Sequence, residues 1–412
     1  MKKNKSTDND FFKFIQNKDS DKLVVFFSGV NAKSFMGYKL VEDFDCNKIF
    51  IRDVNKSWYH GNIENVSKDI DDLVDYIRSY ADKFERENIT FIGSSMGAYA
   101  ALLIGLILNV GKVIAFGPQI YINKYLPNNP RDDSYIKYKN LIPFLTQSTN
   151  CVDIFIGAND IVDLYQVKDI DKRNVKIYKV FSQPHNVMYF LNKVGVLKEY
   201  IRCKIYNKVY EIKIEGCYLN SFNDEGYLES AVLEFFIKKD YVKSSIMFDC
   251  LIQTYPTVNA FWKYRGICSY HLNQYSDAVF FLKQAELIAF RDDELHYFLG
   301  LSFLQLKNYI LATSEFQFSL EFAIEKKTSY FIKLSISFRE RKKYGEAIRV
   351  LKESLKINSK NYGTYYQLAQ NYKRLKEFNL AIKSLEIAQE LKTGDETILK
   401  ELVDLNKKIT AE

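Results

Sequence analysis

Four alanines, Ala278, Ala312, Ala347 and Ala381, recur at intervals of about 34 residues through the second half of the chain. Other positions return in phase with them. Trp262 and Gly266 precede the first and Ala285 follows it; Leu299, Gly300 and Phe303 precede the second and Phe316 follows it. Phe338 and Leu351 flank the third, and Tyr365, Leu368, Ala369, Tyr372, Leu385 and Ala388 surround the fourth. A unit this short cannot bury its own apolar face, so it must stack on its neighbours. The segment is therefore expected to fold as a solenoid of helix pairs. Gly and Ala let the paired helices approach closely, and the larger residues fill the space between units. A degenerate first unit, with Ser244, Phe248 and Pro256 in register, heads the stack, and a helix from Glu396 to Lys408 ends it.

The first half obeys a different rule. Short apolar runs, Leu23 to Phe27, Lys48 to Arg52, Ile89 to Ile92, Val113 to Phe116, Val152 to Ile156 and Val175 to Phe181, alternate with helical patterns. The clearest helix is Val66 to Phe84, with Ile70, Leu73, Val74 and Ile77 on one face. This alternation implies an α/β fold, a mostly parallel sheet covered by helices on both faces. Gln119 to Asn150, which holds Tyr135 and Tyr138, interrupts it as a long crossover connection would. Ile205 to Ile212 alternates like a hairpin.

Between the third run and the helix that follows lies Gly93-Ser94-Ser95-Met96-Gly97. A G-x-S-x-G sequence between strand and helix makes a sharp turn that exposes the central serine, with glycines where a Cβ would collide with neighbouring strands. Ser95 is thus the candidate nucleophile. A serine hydroxyl needs a base within reach to take its proton. His185, in the loop Ser182-Gln183-Pro184-His185 after the last strand, is the candidate base. Asp160, just past the strand ending at Ile156-Gly157, is the candidate acid that fixes the imidazole, with Asp163 the alternative. Of the other histidines, His271 and His296 fall in the repetitive half and His60 is out of order.

The order Ser, Asp, His and the strand context over roughly the first 200 residues resemble the α/β-hydrolase superfamily, and the repeats resemble the tetratricopeptide family. The first resemblance implies a serine enzyme of acyl-ester chemistry. It also implies an oxyanion hole from the backbone amides of Val30, in the turn Ser28-Gly29-Val30-Asn31, and of Met96. Residues Ile51-Arg52-Asp53 followed by Ser57-Trp58-Tyr59 look like bacterial hydrolase-fold proteins that modify surface polysaccharides, some of them O-acetyltransferases. That resemblance implies Trp58 and Tyr59 stacking on a sugar, and acetyl-CoA as acyl donor if the reaction is transfer; hydrolysis requires no cofactor. The expected organisation is a catalytic domain over residues 1–202, a linker or hairpin over 203–225, and about five repeats plus a final helix over 226–412. Tetratricopeptide arrays bind peptides, partner proteins or copies of themselves. The alternative function is an idle hydrolase-fold scaffold whose array assembles a complex.

Composition narrows the classes. A net charge of +7 from 58 basic and 51 acidic residues is mild for 412 residues and argues against a nucleic-acid footprint. The six cysteines, Cys46, Cys151, Cys203, Cys217, Cys250 and Cys268, show no metal-ligand spacing and read as reduced thiols. No apolar run reaches the ~18 residues of a membrane span, and Asp8, Asn9 and Asp10 follow the basic start where a secretory leader would be apolar. A cytoplasmic location is the expectation.

Overall fold

The computed structural model describes residues 9–170, 174–180, 183–210, 212, 217–218 and 226–411. The basic start at 1–8, Phe181 and Ser182 of the expected last strand and histidine loop, and most of 211–225 lie outside the described residues. Eight strands form one sheet: β1 (Phe12–Ile15), β2 (Leu23–Phe27), β3 (Asn47–Ile51), β4 (Ile89–Ser94), β5 (Lys112–Phe116), β6 (Cys151–Gly157), β7 (Val175–Val180) and β8 (Cys217–Tyr218). Their order is β1-β3-β2-β4-β5-β6-β7-β8. From β3 through β7 every neighbour is parallel, whereas β1 and β8 close the edges antiparallel. Every residue of β2 and β3 is buried, as a parallel sheet covered on both faces requires.

The helices of this half are α1 (Ile70–Ala81), α2 (Met96–Ile107), α3 (Ile142–Gln147), α4 (Ile161–Gln166), α5 (Val187–Lys193), α6 (Leu197–Ile205), α7 (Tyr227–Val232) and α8 (Tyr241–Thr254). Helix α1 starts later than the apolar pattern suggests, because Asp69 caps it by accepting from the Asp71 and Asp72 amides. Helix α2 is buried from Met96 to Leu106; its small residues, Gly97, Ala98, Ala100 and Ala101, let it lie close on the sheet. Phe26, Phe50, Ile92, Ile114, Phe116 and Phe155 pack against Leu191, Leu197, Tyr200 and Ile201 of α5 and α6, which fixes the histidine-bearing end of the sheet. The expected hairpin does not form across Ile205 to Tyr210: α6 runs through Ile205 and the next residues are a turn. Within Gln119–Asn150 the only helix is the six-residue α3.

The second half is helical throughout: α9 (Asn259–His271), α10 (Tyr275–Ile288), α11 (Asp293–Gln305), α12 (Tyr309–Phe322), α13 (Thr328–Glu340), α14 (Tyr344–Ile357), α15 (Tyr362–Arg374), α16 (Phe378–Leu391) and α17 (Glu396–Ala411). Ala278, Ala312, Ala347 and Ala381 are fully buried, each in the first turn of the second helix of a pair. A Cβ on Gly300 would lie 2.6 Å from the Phe316 ring, so α11 and α12 touch through the absence of a side chain. Helix α8 begins in register with α10, α12, α14 and α16, so the degenerate first unit exists, with a π-helical turn at Leu233–Lys238 after α7. The architecture is an α/β-hydrolase-like sheet followed by a tetratricopeptide-type array. By packing, the chain divides into Met1–Ala260 and Phe261–Glu412, whereas repeat register sets the boundary expected at 226. Lys168 beside α4 pairs at 3.2 Å with Glu229 of α7, which ties the first helix pair to the α/β half. Among the described residues no helix is long and apolar enough to cross a membrane.

Candidate active site

Ser95 sits where β4 turns into α2, with φ 52° and ψ −122°, a conformation that side chains rarely adopt. Its amide donates to the Phe116 carbonyl at the end of β5, which holds the strained residue from behind. The two glycines permit the turn by close approach. A Cβ on Gly93 would stand 2.0 Å from the Gly97 carbonyl oxygen, and one on Gly97 would stand 2.1 Å from that of Phe27. Gly97→Ala should therefore force apart α2 and the end of β2 and cost ~3 kcal/mol or more, read as a fall in the urea midpoint of the full chain.

His185 joins the nucleophile to its acid. Its Nε2 lies 2.9 Å from Ser95 Oγ and its Nδ1 lies 2.6 Å from Asp163 Oδ1. The other Asp163 oxygen accepts from the Gly157 amide at 3.1 Å, so the carboxylate is held on both sides. The structure thus corrects the expected acid. Asp160 is the N-cap of α4 and accepts from the Val162 and Asp163 amides, while Asp163, within the first turn, points inward and is buried. Ser95, His185 and Asp163 form a Ser-His-Asp triad at the carboxyl ends of the parallel strands.

Burial alone would lower the His185 pKa. The Asp163 charge, its hydrogen bond and the Asp160 charge outweigh burial and raise it to about 9. The base is active only when neutral, so kcat/KM on a neutral aryl ester should climb with pH to a midpoint near 9. Asp160→Asn should shift that midpoint downward, because it removes one of the charges that stabilise the imidazolium.

The turn after β2 lies against the elbow: a Cβ on Gly29 would be 2.8 Å from the Ser94 carbonyl oxygen and 3.9 Å from Ser95 Cβ. Among the described residues neither the Val30 nor the Met96 amide has a hydrogen-bond acceptor. For Met96 this follows from its place at the start of α2, where N–H groups lack intrahelical partners.

Trp58 and Tyr59 do not form the expected stacking platform. Tyr59 is fully buried and Trp58 is 5% exposed, and both have left-handed backbones. The Asp53 carboxylate imposes that loop by accepting from the Ser57 and Tyr59 amides and the Ser57 hydroxyl. The Tyr59 hydroxyl then donates to the Ser28 carbonyl at 2.8 Å, and the Trp58 indole donates to Gln119. Tyr59 thus braces the turn that leads to Val30, and Trp58 ties its loop to the segment after β5. His60 is also buried: its Nδ1 lies 2.9 Å from the Trp58 carbonyl oxygen, and burial holds its pKa below the ordinary value.

Among the described residues two groups bring three potential metal ligands together. One is Asp160, Asp163 and His185, whose atoms serve the triad. In the other, Glu286, His296 and Glu315, Lys283 bridges the two carboxylates at 2.8 and 2.9 Å and His296 lies 2.6 Å from Glu315, so the group is an internal ion network of the array.

No protein-family model matches the sequence, and no curated protein is similar to it. Among solved structures, one of the protein MamA is 15% identical, with a TM-score of 0.38 over 41% of this chain and 91% of the other. YrrB, described as a TPR protein with an unusual peptide-binding site, is 15% identical, with a TM-score of 0.39 over 42% of this chain and 89% of its own. The chain's own geometry is a Ser-His-Asp triad of the kind serine hydrolases use, set on an α/β-hydrolase-like sheet and followed by a tetratricopeptide-type array.

Proposed function

We propose that the protein cleaves acyl esters through an acyl-Ser95 intermediate and passes the acyl group to water or to a carbohydrate hydroxyl. One observation carries this reading: a single imidazole lies 2.9 Å from Ser95 Oγ and 2.6 Å from the Asp163 carboxylate. His185 Nε2 takes the Ser95 proton as Oγ attacks the ester carbonyl, and Asp163 stabilises the imidazolium. The Val30 and Met96 amides receive the oxyanion; each such donor is typically worth ~3 kcal/mol. His185 returns its proton to the leaving alcohol or thiol as the tetrahedral species collapses. It then deprotonates the incoming acceptor, and the acyl–Oγ bond breaks with the proton restored to Ser95. With a sugar hydroxyl of a surface polysaccharide as acceptor, acetyl-CoA is the donor. With water, nothing further is needed.

The array supplies a surface for a protein partner or a second copy of the chain, and the site of action is the cytoplasm. A fluorophosphonate probe should label the intact protein and fail to label Ser95→Ala. Labelling that survives in the variant, or none in either, overturns the nucleophile. Incubation with labelled acetyl-CoA and candidate glycans then separates transfer from hydrolysis, since only transfer moves the label to glycan.

A further inference from the structure

A cavity of about 670 Å³ abuts both catalytic loops, because its lining includes Ser94, just before Ser95, and Asn186, just after His185. That volume suits a small-molecule ligand. Phe35, Tyr38 and Tyr189 furnish aromatic wall, and Lys13 of β1 and Lys39 bring two ammonium groups; the lining holds no Asp or Glu. Lys39 is exposed and makes no ion pair among the described residues, and Lys13 Nζ lies 5.6 Å from the Tyr38 ring centroid. Cations beside a concave, partly apolar surface focus a positive potential into it. The cavity lining is far from what a neutral acyl chain would need, since long aliphatic walls are represented only by Leu40, Met188 and Leu197.

We infer that this cavity selects ester substrates bearing an anionic group, carboxylate or phosphate, on a flat ring or sugar near the scissile bond. This specificity rests on the acyl-Ser95 reading. Lysine suits the role as a point charge that attracts either anion without demanding a bidentate geometry.

The test compares phenyl acetate, 4-acetoxybenzoate and 4-acetoxyphenyl phosphate on the intact chain, each rate divided by that ester's hydroxide-catalysed rate. At low salt at least one anionic ester should exceed the neutral one in kcat/KM by ~10-fold, with the advantage shrinking as salt rises. Whichever anionic ester leads identifies the carboxylate or the phosphate. Lys39→Met, at an exposed position, should cut the ratio, and Lys13→Met with Lys39→Met should bring it close to one. Equal normalised rates in the unaltered protein, or a ratio unmoved by the variants, overturns the inference. If no ester turns over and the fluorophosphonate fails to label Ser95, the catalytic reading falls and the cavity is judged by binding alone. Calorimetry of 4-hydroxybenzoate and phenyl phosphate against phenol then decides: no preference for the anions overturns the inference.

Discussion

Replacing Asp163 by asparagine should lower kcat on a small ester by ~10⁴-fold, while the same change at Asp160 should alter it by less than ~10-fold in either direction at any pH. The two carboxylates are three residues apart on one turn, yet they do different things. Asp163 is the partner of His185 Nδ1 at 2.6 Å and places the ring proton there, leaving Nε2 free to accept from Ser95. An asparagine can turn its NH₂ group towards Nδ1, which favours the tautomer with its proton on Nε2, facing Ser95. The base then has no lone pair to offer. Asp160 adds its charge beside His185 and caps α4. Asparagine caps a helix about as well as aspartate, so α4 and Asp163 should stay in place. Steady-state kinetics of the two variants, with circular dichroism to confirm folding, checks the assignment. Equal losses would place the acid back in doubt.

The nucleophile and base were legible because both are set by local context: a strand–turn–helix in which no side chain fits at Gly93 or Gly97, and a histidine in the loop after β7. The acid was harder. A strand ending in glycine followed by Asp-x-x-Asp reads equally as a cap at the first aspartate or at neither, and burial of Asp163 depends on the Gly157 amide and the His185 ring. The D-x-x-D spacing itself was the usable signal, since an N-cap aspartate is already occupied by backbone amides. Trp58 and Tyr59 misled for a related reason. Aromatic residues after a strand suit either a ligand surface or a brace, and what decides is Asp53 gathering the loop beneath them. Strand β1 is only Phe12–Ile15, an edge strand whose place depends on pairing with β3, and that pairing leaves no periodic trace. The array was clearer because its period repeats. A second series lies within it: Lys239, Asn273, Lys307, Lys342 and Lys376 all take left-handed backbones between paired helices.

Ser95→Ala should remove ~10⁶-fold from kcat, leaving what the oxyanion amides and binding contribute on their own. Ser95→Gly should be equally inactive, and comparing the two variants measures what the elbow costs the fold. At φ 52° and ψ −122° serine and alanine carry the same Cβ clash, so alanine loses the hydroxyl and its hydrogen bond to His185 without relieving the backbone. Glycine adopts that conformation freely, and strain of this kind is worth ~1–3 kcal/mol. Against this stands the extra chain entropy of glycine, ~0.5–1 kcal/mol. The net expectation is that Ser95→Gly is more stable than Ser95→Ala by ~1 kcal/mol in urea unfolding followed on the α/β half. Equal stabilities would mean that the strain at Ser95 is no larger than the ~0.5–1 kcal/mol of chain entropy that glycine costs. A more stable glycine variant would show that Ser95, held through its amide by the Phe116 carbonyl and through its hydroxyl by His185, is retained at the expense of folding free energy.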